Sequence, residues 1–289
     1  MTAPNASTVN RLAILGKGRA GQALATLLTQ TGQPVTWWWS RRDGGEILAL
    51  APADVIIIAV ADQAIHSVAQ ELSKRPSAPQ EIWLHLSGLL SGDILRTSPN
   101  VPAATGSFHI LQALDRSTSS AGDLHGVTAG LEGDPTAVDC ARQLAARLGM
   151  TPRTIQGGTK PLYHAAAVSV AGHAVALFAQ AQTMLSACGI DEATSRAMLQ
   201  PLMSGAIQNL SAATPSDAIT GPSARGDATT IASHLEALDR LDDPSLAQTY
   251  RLLAATAIVQ SSDALTPEQV HRLRQTLAHS VRDDSTAES

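Results

Sequence analysis

Lys160 and His164 stand four residues apart where a helical pattern begins, so they share one helix face. A helix N-terminus disfavours a cation, and partial burial disfavours it further. Both effects lower a lysine pKa and suit the ammonium to giving up a proton near neutral pH. His164 would then orient the acceptor. On spacing alone, a solvated first-turn lysine fits equally well. A second group of residues suits phosphate. Gly16, Gly18 and Gly21 have the spacing G-x-G-x-x-G, with Lys17, Arg19 and Ala20 between them. The first glycine allows a tight turn, the second a close backbone approach to a pyrophosphate, and the third close packing of helix on strand. About twenty residues on, where a carboxylate would hold the ribose of NAD, stand Ser40, Arg41 and Arg42. A hydroxyl and two guanidiniums suit a 2′-phosphate, so the expected cofactor is NADP(H). Two solvated arginines are the plainer alternative, and Asp43 has the opposite charge.

The elements needed to position these groups can be read from the pattern. Apolar runs predict strands over 12–15, 35–39, 54–60, 81–86, 103–109, 127–131 and 151–155. Helical patterns follow the glycine turn and occupy 64–72 and 134–148. Strands alternating with helices predict an α/β fold with a doubly wound parallel sheet. Three successive tryptophans, Trp37 to Trp39, suit a strand covered on both faces. Ligands bind such sheets beyond the carboxyl ends of the strands. Those ends carry the glycine turn, Val60-Ala61-Asp62, Ser87-Gly88 and His109. His109 serves equally well as a hydrogen-bonded structural histidine.

From Gly157 the strands cease. A long helix rich in small residues is expected from Thr159, as its cap, to Ala187, followed by helices over 191–210, 227–241, 244–260 and 267–281. The predicted domains are therefore 1–156, binding dinucleotide, and 157–289, all-helical. Arg225 and Asp227 flank Gly226 just before one of these helices. Arg225 could clamp a substrate carboxylate or hold the loop, and Asp227 suits an N-cap.

Composition removes other classes. The net charge is −5, and no block of Lys or Arg occurs, which argues against nucleic acid and anionic membranes as partners. Cys140 and Cys188 stand alone in helical patterns, as small hydrophobes. There is no H-E-x-x-H or C-x-x-C, so no metal is expected, and no P-loop or nucleophile elbow is present. The first residues lack signal-peptide order, the apolar stretch 165–179 is too short to span a bilayer, and a polar tail follows Asp283. A cytoplasmic location is expected.

Gly16-x-Gly18-x-x-Gly21, His85-Leu-Ser-Gly88, Gly106-Ser-Phe-His109, Lys160-Pro-Leu-Tyr-His164 and Gly221-Pro-Ser-Ala-Arg-Gly-Asp227 occur in this order. Together they resemble the Rossmann-like NADP oxidoreductases with a C-terminal domain of unknown function 2520, over nearly the whole chain. That group is similar in architecture to 6-phosphogluconate dehydrogenase, β-hydroxyacid dehydrogenases and pyrroline-5-carboxylate reductase. The resemblance implies an all-α C-terminal domain of the 6-phosphogluconate dehydrogenase type, a homodimer and hydride transfer. In the β-hydroxyacid group a lysine early in the interdomain helix is the acid/base, with an asparagine one turn on. Lys160 matches the lysine, and His164 replaces the asparagine. Ile110 follows His109 where the family often has proline.

The expected function is thus an NADP-dependent dehydrogenase or reductase acting on a small carbonyl or imine, carboxylate-bearing if Arg225 is its clamp. Lys160 and His164 are the catalytic pair. Ser87, Gly88, His109, Arg225 and Asp227 contact substrate. The alternative is an NADP-binding regulatory protein without turnover.

Overall fold

The computed structural model describes residues 11–278, except 34, 45, 77, 97–99 and 115–123. The polar tail from Asp283 and the end of the last predicted helix lie outside the described residues. The chain divides into two compact units, Met1–Ala174 and Val175–Ser289.

The first unit holds strands β1 (Leu12–Leu15), β2 (Val35–Trp39), β3 (Val55–Ile58), β4 (Ile82–His85), β5 (Ala104–Ile110), β6 (Thr128–Gly133) and β7 (Thr151–Thr154). Helices α1 (Arg19–Gln30), α2 (Asp62–Leu72) and α3 (Pro135–Arg147) connect them, and α4 (Lys160–Val170) follows the last strand. The sheet order is β2-β1-β3-β4-β5-β6-β7. β1 and β3 are neighbours, and β2 lies on the other side of β1, so the strand order reverses there. β1 to β5 run parallel.

The expectation of a wholly parallel sheet needs correcting, because β6 pairs antiparallel with β5 and β7 runs parallel to β6. A parallel return requires a crossover, usually a helix. The sequence from Leu111 to Val127 carries no helical apolar repeat, whereas α3 supplies the crossover from β6 to β7.

Central strands are buried on both faces. Leu12, Ile14, Val55, Ile57, Ile82 and Leu84 pack with residues of α1 and α3. Ala13, Leu15, Ile56, Ile58 and Trp83 pack with α2. This is why β3 reads as an unbroken β-branched run. The tryptophan strand differs from its reading. β2 is an edge strand, so its faces are only half covered, and Trp38 is 37% exposed.

Two local corrections concern the helix after the sheet. Thr159 is the N-cap residue of α4 but makes no side-chain capping bond; its hydroxyl turns back to donate to Gln156 O at 2.7 Å. The expected single helix is interrupted at Ala171, after which α5 (Gly172–Ala187) begins. Lys160–Ala187 is nonetheless a 28-residue helical run, long and apolar enough to cross a membrane, with mean hydropathy 1.5 in its most apolar window. The shorter apolar stretch in the sequence had not shown that length.

The second unit continues with α6 (Glu192–Ala212), α7 (Pro215–Ala218), α8 (Pro222–Arg225), α9 (Ala228–Asp239), α10 (Pro244–Gln260) and α11 (Pro267–Ala278). Ile231, Leu235, Ile258 and Leu273 form its main buried cluster.

Candidate active site

The glycine turn is shaped by steric necessity at two of its three positions. Gly16 has φ +125°, and a Cβ there would lie 2.1 Å from Ala59 O. A Cβ on Gly21 would lie 2.3 Å from Gly16 O, which locks α1 against the strand end. Gly18 is different: a Cβ would meet nothing within 4 Å. Gly18 is also the N-cap of α1, with no side-chain capping bond and no acidic residue in the first turn. The first N–H groups of the helix therefore have no side-chain cap.

The turn borders a cavity of about 390 Å³ lined by Gly16, Lys17, Gly18, Ser40, Arg41 and Val60, among others. It lies at the carboxyl ends of β1, β2 and β3, at the reversal of strand order, where such sheets take ligands. Uncapped helix donors, an open glycine face and three cations (Lys17, Arg41, Arg42) fit a dinucleotide carrying an extra phosphate. Asp43 sits among them. It accepts from Ser40 N at 2.8 Å and Ser40 Oγ at 3.1 Å, and pairs with Lys17 at 3.0 Å. The Lys17 bond is the main reason its carboxyl is held below the ordinary range. Trp38 braces the turn: its Nε1 donates to Gly16 O at 3.1 Å, and Lys17 Nζ lies 5.1 Å above its ring.

A second polar group gathers at the ends of β3, β4 and β5. Asp62 begins α2 and accepts from Ser87 Oγ at 2.7 Å. Ser87 Oγ itself accepts from the N–H groups of Leu89 and Leu90, at 3.1 and 3.0 Å. Its hydroxyl is thus committed to the loop. Lys160, in the first turn of α4, is only 3% exposed. Its Nζ donates to Ser87 O at 3.0 Å and Ser107 Oγ at 2.5 Å. Burial is the main force lowering its pKa to about 8, and Glu132 and Asp62 partly oppose it. His85 is buried and held at about 4, by desolvation first and the Lys160 charge second.

His109, Tyr163 and His164 line an adjoining cavity of about 550 Å³, whose other walls include Ile110, Leu111, Gln112, Ala167 and Val170. His109 Nδ1 lies 2.8 Å from the Tyr163 hydroxyl. The His109 and His164 rings meet edge to face at 5.9 Å. Gly88 sits against both: a Cβ there would lie 2.7 Å from His164 Cδ2 and 2.8 Å from His109 Nε2. Lys160 is not among the side chains lining this cavity.

Residues 127–257 match the family model described as Domain of unknown function (DUF2520). This stretch of the chain is similar to that domain. Protein TM1727 from Thermotoga maritima matches in structure with a TM-score of 0.71 at 21% identity, covering 88% of this chain and 99% of that one. BF3122 from Bacteroides fragilis, a candidate NADP oxidoreductase, gives 0.71 at 20% identity, covering 86% of this chain and 98% of that one. An imine reductase from Myxococcus stipitatus, solved with NADP⁺, gives 0.54 at 16%, covering 88% and 93%. No curated protein matches the sequence. At these identities the likeness shows the fold, a Rossmann-type sheet followed by a helical region.

The DUF2520 match takes in Lys160, His164, Arg225 and Asp227 but leaves the glycine turn outside. Within the first unit the structure brings together Asp62, Ser87, Gly88, His109, Lys160 and His164, and separately Gly16 to Gly21 with Ser40 to Arg42. Arg225 and Asp227 belong to the second unit. Arg225 is exposed at the end of α8. Asp227 caps α9, accepting from Thr230 N at 3.0 Å and Thr230 Oγ1 at 2.6 Å. Sequence reasoning missed Trp38, Ser107 and Tyr163. Tyr163 lies one residue before His164, but its partner His109 is 54 positions away, and no local pattern links them.

Proposed function

We propose that this protein is an NADP-dependent reductase of a carbonyl or imine. The observation that carries the reading is the uncapped N-terminus of α1 over Gly18, facing a cavity that also presents Ser40, Arg41 and Arg42. The candidate oxidoreductase and the NADP⁺-bound imine reductase of the same fold support it. When bound, NADPH supplies a hydride to the substrate carbon, and the protein must supply the accompanying proton.

Lys160 holds that proton. Its lowered pKa keeps the ammonium populated at neutral pH yet ready to lose a proton, and two of its three donors are occupied. Gly88 lets both imidazoles pack against its backbone, where a Cβ would clash, and His109 and His164 form one wall of the cavity. Among the described residues lining the cavity beside His109 there is no Lys or Arg, so the reading rests on the carbonyl or imine alone.

NADPH should bind more tightly than NADH, and Arg41→Glu should narrow or invert the preference. Charge-assisted hydrogen bonds contribute about 1.5–3 kcal/mol each, so the shift should be roughly tenfold or more. Titration of both nucleotides by cofactor fluorescence reads this, and equal affinities in the parent would remove the NADP assignment.

We also propose a homodimer and a cytoplasmic location. In the second unit Val175 and Leu202 are each 71% exposed and Leu252 is 65% exposed, too much apolar surface for an isolated helical face. Polar side chains punctuate it. Gln180 bonds Thr249 at 3.2 Å and Gln182 bonds Ser195 at 3.1 Å, a mixture suited to a protein partner rather than to lipid. Light scattering should give twice 30.0 kDa at micromolar concentration. A species of single mass, or recovery only with detergent, would overturn this.

A further inference from the structure

We infer that His109 grips the reacting atom of the substrate as a neutral hydrogen-bond donor through Nε2–H, and that Tyr163 holds it in that tautomer. The inference rests on the reductase reading and names the chemistry its substrate must offer.

The argument starts from hydrogen-bond accounting. The Tyr163 hydroxyl and His109 Nδ1 are 2.8 Å apart, so one donates to the other. Nδ1 is the acceptor within reach of the phenol among the described residues. If Nδ1 carried the proton, the Tyr163 O–H would have no protein acceptor among the described residues. With the phenol donating to Nδ1, both groups are satisfied and the imidazole proton must sit on Nε2. Electrostatics agree. Burial raises the Tyr163 pKa and keeps the phenol protonated. Desolvation, then the charges of Lys160 and His164, lower His109 to about 4 against the opposing pull of Asp62, so the ring is neutral at pH 7.

Nε2 has no protein hydrogen-bond partner among the described residues, and its ring is part of the cavity wall, with Gly88 packed closely against it. An unpartnered donor on a cavity-lining ring is available to a ligand there. A donor there selects an acceptor: a carbonyl oxygen or an unprotonated imine nitrogen fits, and a protonated iminium does not. Ile110, Leu111, Ala167 and Val170 make much of the remaining lining apolar, with Gln112 beside them and no Asp, Glu, Lys or Arg among the described lining residues, which suits a neutral substrate body. In the reduction a C–H bond and an O–H or N–H bond replace the π bond. Bound NADPH would supply the hydride, Lys160 from behind the cavity lining would supply the proton, and the His109 hydrogen bond would strengthen as charge builds on the acceptor.

The test needs neither cofactor nor substrate. In ¹⁵N-labelled full-length protein, His109 should show an unprotonated Nδ1 and a protonated Nε2 from about pH 6 to about pH 8, without titrating. His109→Gln assigns the signals, and Tyr163→Phe provides a second assignment by disturbing the ring that loses its hydroxyl partner. Tyr163→Phe should also produce a mixture of tautomers. A proton on Nδ1, or a titration in this range, overturns the proposal. With any carbonyl or imine that the parent turns over, Tyr163→Phe should lower kcat about tenfold with NADPH affinity unchanged, and His109→Leu should lower it at least about 100-fold. An Nε2–H tautomer in a parent that turns over no member of a broad panel defeats the reductase reading and leaves the tautomer standing. Turnover with the Nδ1–H tautomer defeats the inference alone.

Discussion

Gly16→Ala and Gly18→Ala should fail in different ways. At Gly16 the backbone has φ +125°, and an added Cβ would lie 2.1 Å from Ala59 O, so β3 would have to move away from the turn. A left-handed backbone and a backbone clash together should cost about 3 kcal/mol or more, lowering Tm by roughly 6–12 °C and abolishing NADPH binding. At Gly18 the backbone is extended, with φ −71° and ψ 176°, and a Cβ meets nothing within 4 Å. Its melting temperature should stay near the parent's. Its NADPH affinity should nevertheless fall by at least about tenfold, because the methyl group fills space needed for the pyrophosphate's approach. Differential scanning calorimetry with nucleotide titration separates the two glycines. Parent-like NADPH affinity in Gly18→Ala would mean that the turn carries no phosphate.

The parts of the fold that were legible in the sequence are those where one local rule governs. β3 reads as Val-Ile-Ile-Ile because both its faces are buried, and α1 follows a glycine turn whose steric demands are written in three residues. What stayed hidden depends on partners far away in the chain. The direction of β6 could not be read from its own residues, because the sequence pattern of a strand is the same in either direction. Trp38 reads as core until the strand proves to be an edge. Its exposure is then offset by a bond to Gly16 and a cation over its ring. Lys160 was recognisable as a candidate from its place at a helix start. Its actual partners, Ser87 O and Ser107, come from just beyond β4 and from the middle of β5. The pair most informative about substrate chemistry, His109 and Tyr163, joins a strand end to a helix across 54 residues. Chemistry assembled in this way leaves no spacing to read.

Lys160→Met should leave NADPH binding nearly intact, since the glycine turn and its cations are separate from the Lys160 network. Turnover should fall by roughly 10²–10⁴-fold, the range of a lost general acid. Stability should change little, because two effects oppose each other. Methionine leaves Ser87 O and the Ser107 hydroxyl without their donor, at about 1–3 kcal/mol each. It also removes a buried ammonium whose pKa has dropped from 10.5 to about 8, a burden of roughly 3 kcal/mol. The sign of the pH dependence follows from the same shift. Between about pH 8 and pH 10.5 the unfolded chain binds a proton at this lysine that the folded chain has released, so native stability rises with pH across that window. Below about pH 8 the cost is constant, and the methionine variant should lack this contribution throughout. Melts at several pH values would detect it. Parent turnover should decline above about pH 8, as the ammonium empties. A variant with a markedly lower Tm and turnover within about threefold of the parent would make Lys160 a support for the Ser87–Gly88 loop, short of any general-acid effect. The proton would then have to come from His164, which lines the cavity beside Gly88.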